Sequence, residues 1–227
     1  MPKLSVVPTV LALLLAVSLS SCSASSDSGT SPSGFSITAS ASPSAGLMAK
    51  LIPADVRVLN EPAQAKTTLV LFTDYQCPYC AKMDTQIQRL KTEYRDQLRI
   101  VVRNLPLTKH QNAQFAAQAV EAAAEQGALE KLASLVFSKQ AEWAQASSGL
   151  EQRFTGYAQQ IGLDITKFNS DLNSSKIKSR VARDLQDATD LGLRGTPSLV
   201  LDGKLLSVDS TDYQTVKGPV DRVLSGR

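Results

Sequence analysis

Apolar and polar positions divide the chain into three regimes. From Val6 to Leu19 the residues are apolar apart from Pro8, Thr9 and Ser18. From Ser23 to about Gly46 the composition falls to Ser, Ala, Thr, Gly and Pro, with Phe35 and Ile37 as the large apolar residues, and no core can form there. Beyond that stretch the pattern becomes periodic. Val56 to Leu59 and Thr67 to Phe72 are short β-branched and apolar runs parted by the turn-forming Asn60-Glu61-Pro62, which predicts two strands. Met83, Ile87, Leu90 and Tyr94 recur at helical steps and predict a helix from Pro78 to about Tyr94 with one buried face; Leu98 to Val102 predicts the next strand. Strand, helix and strand in succession make a βαβ unit, whose crossover forces the two strands to be parallel. Asn112 to Leu191 is helical throughout and divides into about five helices: an alanine-rich segment ending at Gly127, Leu129 to Trp143, a turn or two around Phe154 and Tyr157, Ile165 to Leu172 capped by Asp164, and a last helix with Ile177, Val181, Leu185, Ala188 and Leu191 as its stripe. Ser198 to Leu201 and Lys204 to Val208 flank Asp202-Gly203, a strong antiparallel hairpin signal. A closing helix from about Thr211 is expected to break at Gly218-Pro219, with Pro219 opening a new turn that carries Val220, Val223 and Leu224.

Composition changes this picture little. With 227 residues, 43% of them apolar and 20% charged, one packed domain is expected. The net charge of +3 comes from 24 basic and 21 acidic residues mixed along the sequence, so no nucleic acid partner is expected. The first apolar run has the length of a signal-peptide core and falls short of the roughly 20 residues that span a bilayer. It meets Leu19-Ser20-Ser21-Cys22, which resembles the bacterial lipobox; in such a protein the chain is cut before Cys22, whose thiol takes a diacylglycerol. The alternative is an uncleaved helical anchor, and on either reading the body is exported. The expected organisation is a lipoprotein signal peptide over residues 1–21, a lipidated Cys22 and flexible tether over 22–46, and a folded domain over 47–227, tethered to the membrane on its extracytoplasmic side.

The remaining cysteines form Cys77-Pro78-Tyr79-Cys80, placed where strand becomes helix. Disulfide exchange needs an accessible thiolate and a second thiol to resolve the mixed disulfide. At a helix start Cys77 faces unpaired N–H groups and the positive end of the helix dipole, which favour its thiolate. Cys80 lies one turn on and deeper, and Pro78 suits the first helical turn. Other readings stay open. Two thiolates can hold copper(I); with His110 and a carboxylate they can close a zinc site; a structural disulfide over so short a loop would constrain little entropy. The redox reading calls for no cofactor.

Phe72-Thr73-Asp74-Tyr75-Gln76-Cys77-Pro78-Tyr79-Cys80 resembles the active-site segment of the DsbA-like branch of the thioredoxin superfamily. The likeness covers roughly residues 50 to 225, because that branch carries an all-helical insertion where this chain has helices at about 111–191. Arg103-Asn104-Leu105-Pro106-Leu107 and His110 are similar to the segment that leads into it. The resemblance implies an α/β, thioredoxin-like fold, catalysis by Cys77 and Cys80, and a cis Pro197 that with Thr196, Pro78 and Tyr79 offers a surface to an extended substrate. The family's buried acid six residues before the first cysteine is replaced by Leu71. Asp74 is closer to the cysteines and is the alternative acid, though a solvated or capping role is expected for it; His110 could approach the thiols but is expected as a helix-start histidine without a redox part, and Trp143, Tyr157 and Tyr213 are expected as core rather than substrate groove.

Pro-Tyr between the cysteines is similar to glutaredoxins as well, so the dipeptide leaves direction open. An oxidising compartment favours an oxidase. The expected partners are exported proteins with free cysteines and a membrane quinone-linked reoxidase. A reductase or isomerase is the first rival, and a copper(I) carrier or chaperone-like protein the second.

Overall fold

The computed structural model describes residues 43–226, so the expected signal peptide, Cys22 and most of the tether lie outside the described residues. In chain order the elements are α1 (Ala45–Leu51), β1 (Arg57–Asn60), β2 (Thr67–Thr73), α2 (Pro78–Glu93), β3 (Leu98–Asn104), α3 (Ala113–Ala124), α4 (Leu129–Ser138), α5 (Gln140–Trp143), α6 (Leu150–Gln160), α7 (Ile165–Asn173), α8 (Ser175–Asp190), β4 (Ser198–Leu201), β5 (Lys204–Leu205) and α9 (Gln214–Leu224). Among the described residues no helix is long and apolar enough to cross a membrane.

The five strands form one sheet in the order β1-β3-β2-β4-β5. As the βαβ pattern requires, β2 and β3 are parallel; β1 on β3, β4 on β2 and β5 on β4 are antiparallel. β2 is buried on both faces, and its period-two alternation serves two cores. Leu69 and Leu71 join Met83, Ile87 and Leu90 of α2 and Val216 and Val220 of α9 on one side. Val70 and Phe72 join Leu47 and Leu51 of α1 and Ala188 of α8 on the other. A third core lies among α3 to α8 around Trp143, Phe154 and Phe168, with Tyr157 part of it and Tyr75 of the cysteine loop joining it. Tyr213 belongs to the α2 side of the sheet. The three aromatic residues expected in cores are therefore buried.

Several boundaries differ from the sequence expectation, each for a tertiary reason. Ala45 and Gly46, grouped with the tether by composition, begin α1: Ser44 Oγ caps it by accepting from Leu47 N at 3.2 Å, and Leu47 and Leu51 bury against the sheet. Leu129 to Trp143 breaks at Lys139, which lets Trp143 turn into the third core and donate from Nε1 to Val136 O at 2.9 Å. The closing helix does not break at Pro219, which lies inside α9. Val216 and Val220 are both fully buried in one core, and that packing holds the helix continuous although Pro219 can give no N–H to Thr215 O. The hairpin turn has φ of 45° at Asp202 and 81° at Gly203, as an Asp-Gly pair allows, but its second strand is only Lys204–Leu205. A side chain at Gly203 is excluded twice, by that φ and by Pro43, whose Cγ would stand 2.7 Å from a Cβ.

A buried ion network fastens the helical insertion to the sheet. Arg103 of β3, 1% exposed, donates to Asp184 at 2.8 Å and Asp187 at 2.7 Å on α8, and to the carbonyls of Lys50 and Leu51 on α1. Asn104 Nδ2 donates to Glu121 of α3 at 2.7 Å and to Asp184 at 2.9 Å. Arg57 of β1 reaches Glu121 at 2.8 Å and Glu125 at 2.6 Å.

Candidate active site

β2 ends at Thr73, and four residues later Cys77 sits at the N-cap of α2 with extended backbone. Cys77 O accepts from Cys80 N at 3.0 Å and from Ala81 N at 3.2 Å, which closes the first turn, and Pro78 occupies the position where no N–H partner is needed. Both cysteines are free thiols in this structure, Cys77 4% and Cys80 1% exposed. The expected difference in depth is present but small, and Cys77 is less open than an attacking sulfur was expected to be. Tyr79 stands out at 59% exposed.

The Cys77 thiol is lowered to about 5, first by the hydrogen bond from the Cys80 thiol and then, against the cost of burial, by Thr196 and the backbone N–H groups of Cys80 and Tyr79. Thr196 offers both polarities. Its carbonyl lies 3.4 Å from Cys77 Sγ and can accept the proton of a thiol, whereas its Oγ1 is buried without another partner among the described residues and can donate to a thiolate. Burial pushes the Cys80 thiol well above the ordinary range, and its proton is drawn towards the Cys77 sulfur; the Asp74 N–H, 3.4 Å from Cys80 Sγ, and the Thr73 side chain act in the opposite sense. The two thiols are thus held at opposite ends of the cysteine range, which leaves one anionic sulfur and one protonated neighbour near neutral pH.

The Thr196-Pro197 peptide is cis, as the resemblance implies. These two residues line an open depression with Tyr79, and the structure adds Val208, Asp209 and Ser210, which periodicity could not place there. Pro78 is exposed at the start of α2. The residues from Cys77 to Cys80 and the Thr196-Pro197 pair are brought together; Cys22 is outside the described residues.

Asp74 corrects an expectation. It is 1% exposed rather than solvated, and its carboxylate accepts from Gln76 N at 2.7 Å and Leu107 N at 2.9 Å and meets His110 Nδ1 at 2.7 Å. Only the bond to Gln76 is the local Asx type that sequence suggests. His110 also departs from expectation: α3 begins at Ala113 with Asn112 as N-cap, and His110 precedes it as the partner of Asp74. Gln76, unremarked in the sequence, completes the loop's fastening by donating to Ala144 O at 2.6 Å and accepting from Asn112 N at 2.7 Å. Leu71 lines a cavity behind Cys80, where the family's acid would stand, and Asp84 of α2 lines the same cavity.

Residues 62–222 match the family model described as Thioredoxin. The chain is 37% identical over 159 residues to the Na(+)/H(+) antiporter NhaA of Herminiimonas arsenicoxydans, a match that covers 70% of this chain and 24% of that protein. It spans the same 24% of the antiporter proteins matched in Salinispora tropica and Salinispora arenicola. Among solved structures, a thioredoxin-like oxidoreductase from Silicibacter pomeroyi DSS-3 superposes with a TM-score of 0.63 at 27% identity, covering 78% of this chain and 97% of that one. The thiol-disulfide exchange protein alpha-DsbA2 from Wolbachia pipientis gives 0.66 at 19% identity over 78% of this chain and 92% of that one, a likeness of fold. The matched residues, the five-stranded sheet and the helices inserted between β3 and β4 agree: the chain belongs to the thioredoxin family and has the DsbA-like form of its fold.

Proposed function

We propose that the chain is an extracytoplasmic thiol-disulfide oxidoreductase that oxidises cysteine pairs of exported proteins with a Cys77–Cys80 disulfide. The observation that carries the direction is the position of Cys77 at the N-cap of α2 with the Cys80 thiol and Thr196 against its sulfur, which lowers the thiol to about 5. A stabilised thiolate favours the reduced pair, so the disulfide becomes the stronger oxidant and Cys77 the better leaving group. In the sequence that choice rests on compartment more than on residues.

In the reaction a substrate thiolate attacks Cys77 Sγ, the Cys77–Cys80 bond breaks, and Cys80 leaves with the electron pair and takes a proton. A second substrate thiolate then attacks its partner sulfur, the substrate disulfide forms, and Cys77 leaves as thiolate. Two electrons have passed from substrate to enzyme. Thr196 and the cis Pro197, beside Tyr79, are the surface on which an extended substrate chain would lie. A quinone-linked membrane partner would take the electrons back, and a lipid on Cys22 would keep the domain near it.

Equilibration of the pair with glutathione tests the direction: a potential near about −120 mV is expected, whereas one near about −270 mV would make the chain a reductant. Cys77→Ser is expected to abolish oxidation of a dithiol peptide, and activity retained in that variant would end the proposal.

A further inference from the structure

Resolution of a mixed disulfide at Cys77 requires Cys80 to lose its proton, yet Cys80 is 1% exposed and bulk solvent does not reach that proton. A partly enclosed cavity of about 20 Å³ lies beside Cys80 and is lined by Leu71, Thr73, Tyr75, Asp84 and Ser134 among others. That volume admits one water molecule, and Thr73, Ser134 and Asp84 are among the polar residues that line it. Asp84 stands on the helical turn after Cys80, on the same face of α2. It also lines, with Gln88, an open groove along α2 that includes Thr85 and Arg89. Asp84 therefore borders both the space behind the sulfur and the open groove outside.

We propose that Asp84 accepts the proton of Cys80 through a water in this cavity and passes it to solvent across the α2 groove. This rests on the redox reading of the cysteine pair. When Cys80 sulfur attacks Cys77 Sγ of a mixed disulfide, the Cys77–Cys80 bond forms, the bound partner leaves as thiolate, and the Cys80 proton goes to Asp84. In the opposite direction Asp84 returns a proton to the departing Cys80 thiolate. Burial raises the Asp84 carboxyl above its ordinary value, a hydrogen bond from Gln88 opposes this and Glu130 reinforces it, and a raised carboxyl holds a proton more readily. The other titratable groups facing it are Tyr75 from the loop before α2 and Glu130 from α4, which is paired with Lys91 at 2.6 Å.

Reduced protein mixed with an aromatic disulfide that releases a coloured aryl thiolate gives the test. The first release reports attack by Cys77, and the second reports attack by Cys80 on the Cys77 mixed disulfide. Asp84→Asn is expected to leave the first phase unchanged and to slow the second by about tenfold or more at neutral pH, with the deficit closing as pH rises and Cys80 deprotonates unaided. Asp84→Glu, which keeps an acid on that turn, is expected to restore most of the second phase. A second phase equal to the parent's at every pH, a deficit that does not change with pH, or equal slowing of both phases overturns the proposal. Should Asp84→Asn fail to fold, Asp84→Ser is read in the same way. A parent protein that shows no second release at all would instead remove the redox reading on which the proton path rests.

Discussion

At Cys77 a thiol whose ordinary value is about 8.5 stands at about 5 because donors converge on one sulfur, the Cys80 thiol foremost. Alkylation of Cys77 by iodoacetamide is therefore expected to rise through pH about 5 and to be flat by neutral pH, and an inflection near the ordinary thiol value would contradict the geometry. The same shift affects stability. A folded value below the unfolded one contributes stability that is complete above the unfolded value of about 8.5 and is lost as pH falls through about 5. Reduced protein should thus gain on its Cys77→Ser variant as pH rises across that window, which thermal unfolding of the two at several pH values would register. Asp74 is a second residue whose weight comes from its neighbours. Asp74→Ala would leave the N–H groups of Gln76 and Leu107 and the His110 ring without their acceptor in a buried loop, and is expected to cost about 2–5 kcal/mol in denaturant unfolding.

The elements themselves were mostly legible. The stripe Met83, Ile87, Leu90 marks α2 because a helix that buries one face must repeat its apolar positions, and the Asp-Gly pair marks the hairpin because so few residues tolerate its φ values. What stayed hidden depends on partners distant in sequence. The break at Lys139 serves Trp143, and the continuity of α9 through Pro219 serves Val216 and Val220. The burial of Asp74 and the position of Asp84 against a cavity are likewise invisible to periodicity, which records only how apolar a position is. The one available signal for Asp84 was its spacing of four residues from Cys80. Because Pro219 leaves Thr215 O without its helical donor, Pro219→Ala is expected to raise stability by up to about 3 kcal/mol, readable as a higher urea midpoint.

For the molecule as a whole, Arg103 and its acids join α1, β3 and α8. Arg103→Ala would leave the buried Asp184 with only Arg183, at 3.8 Å, as a cation and is expected to cost about 3–5 kcal/mol, again by denaturant unfolding. The cysteine loop is bound into the insertion as well. Tyr75 packs on Phe137 at 5.1 Å between ring centres, and Tyr75 O, Gln76 and Asp74 are held by Gln140, Asn112 and the chain at Leu107 and His110. The inserted helices are therefore no detachable accessory in the evolutionary sense. A lineage could lengthen their outer turns freely, but it could not discard the insertion or borrow another without rebuilding the segment that presents Cys77.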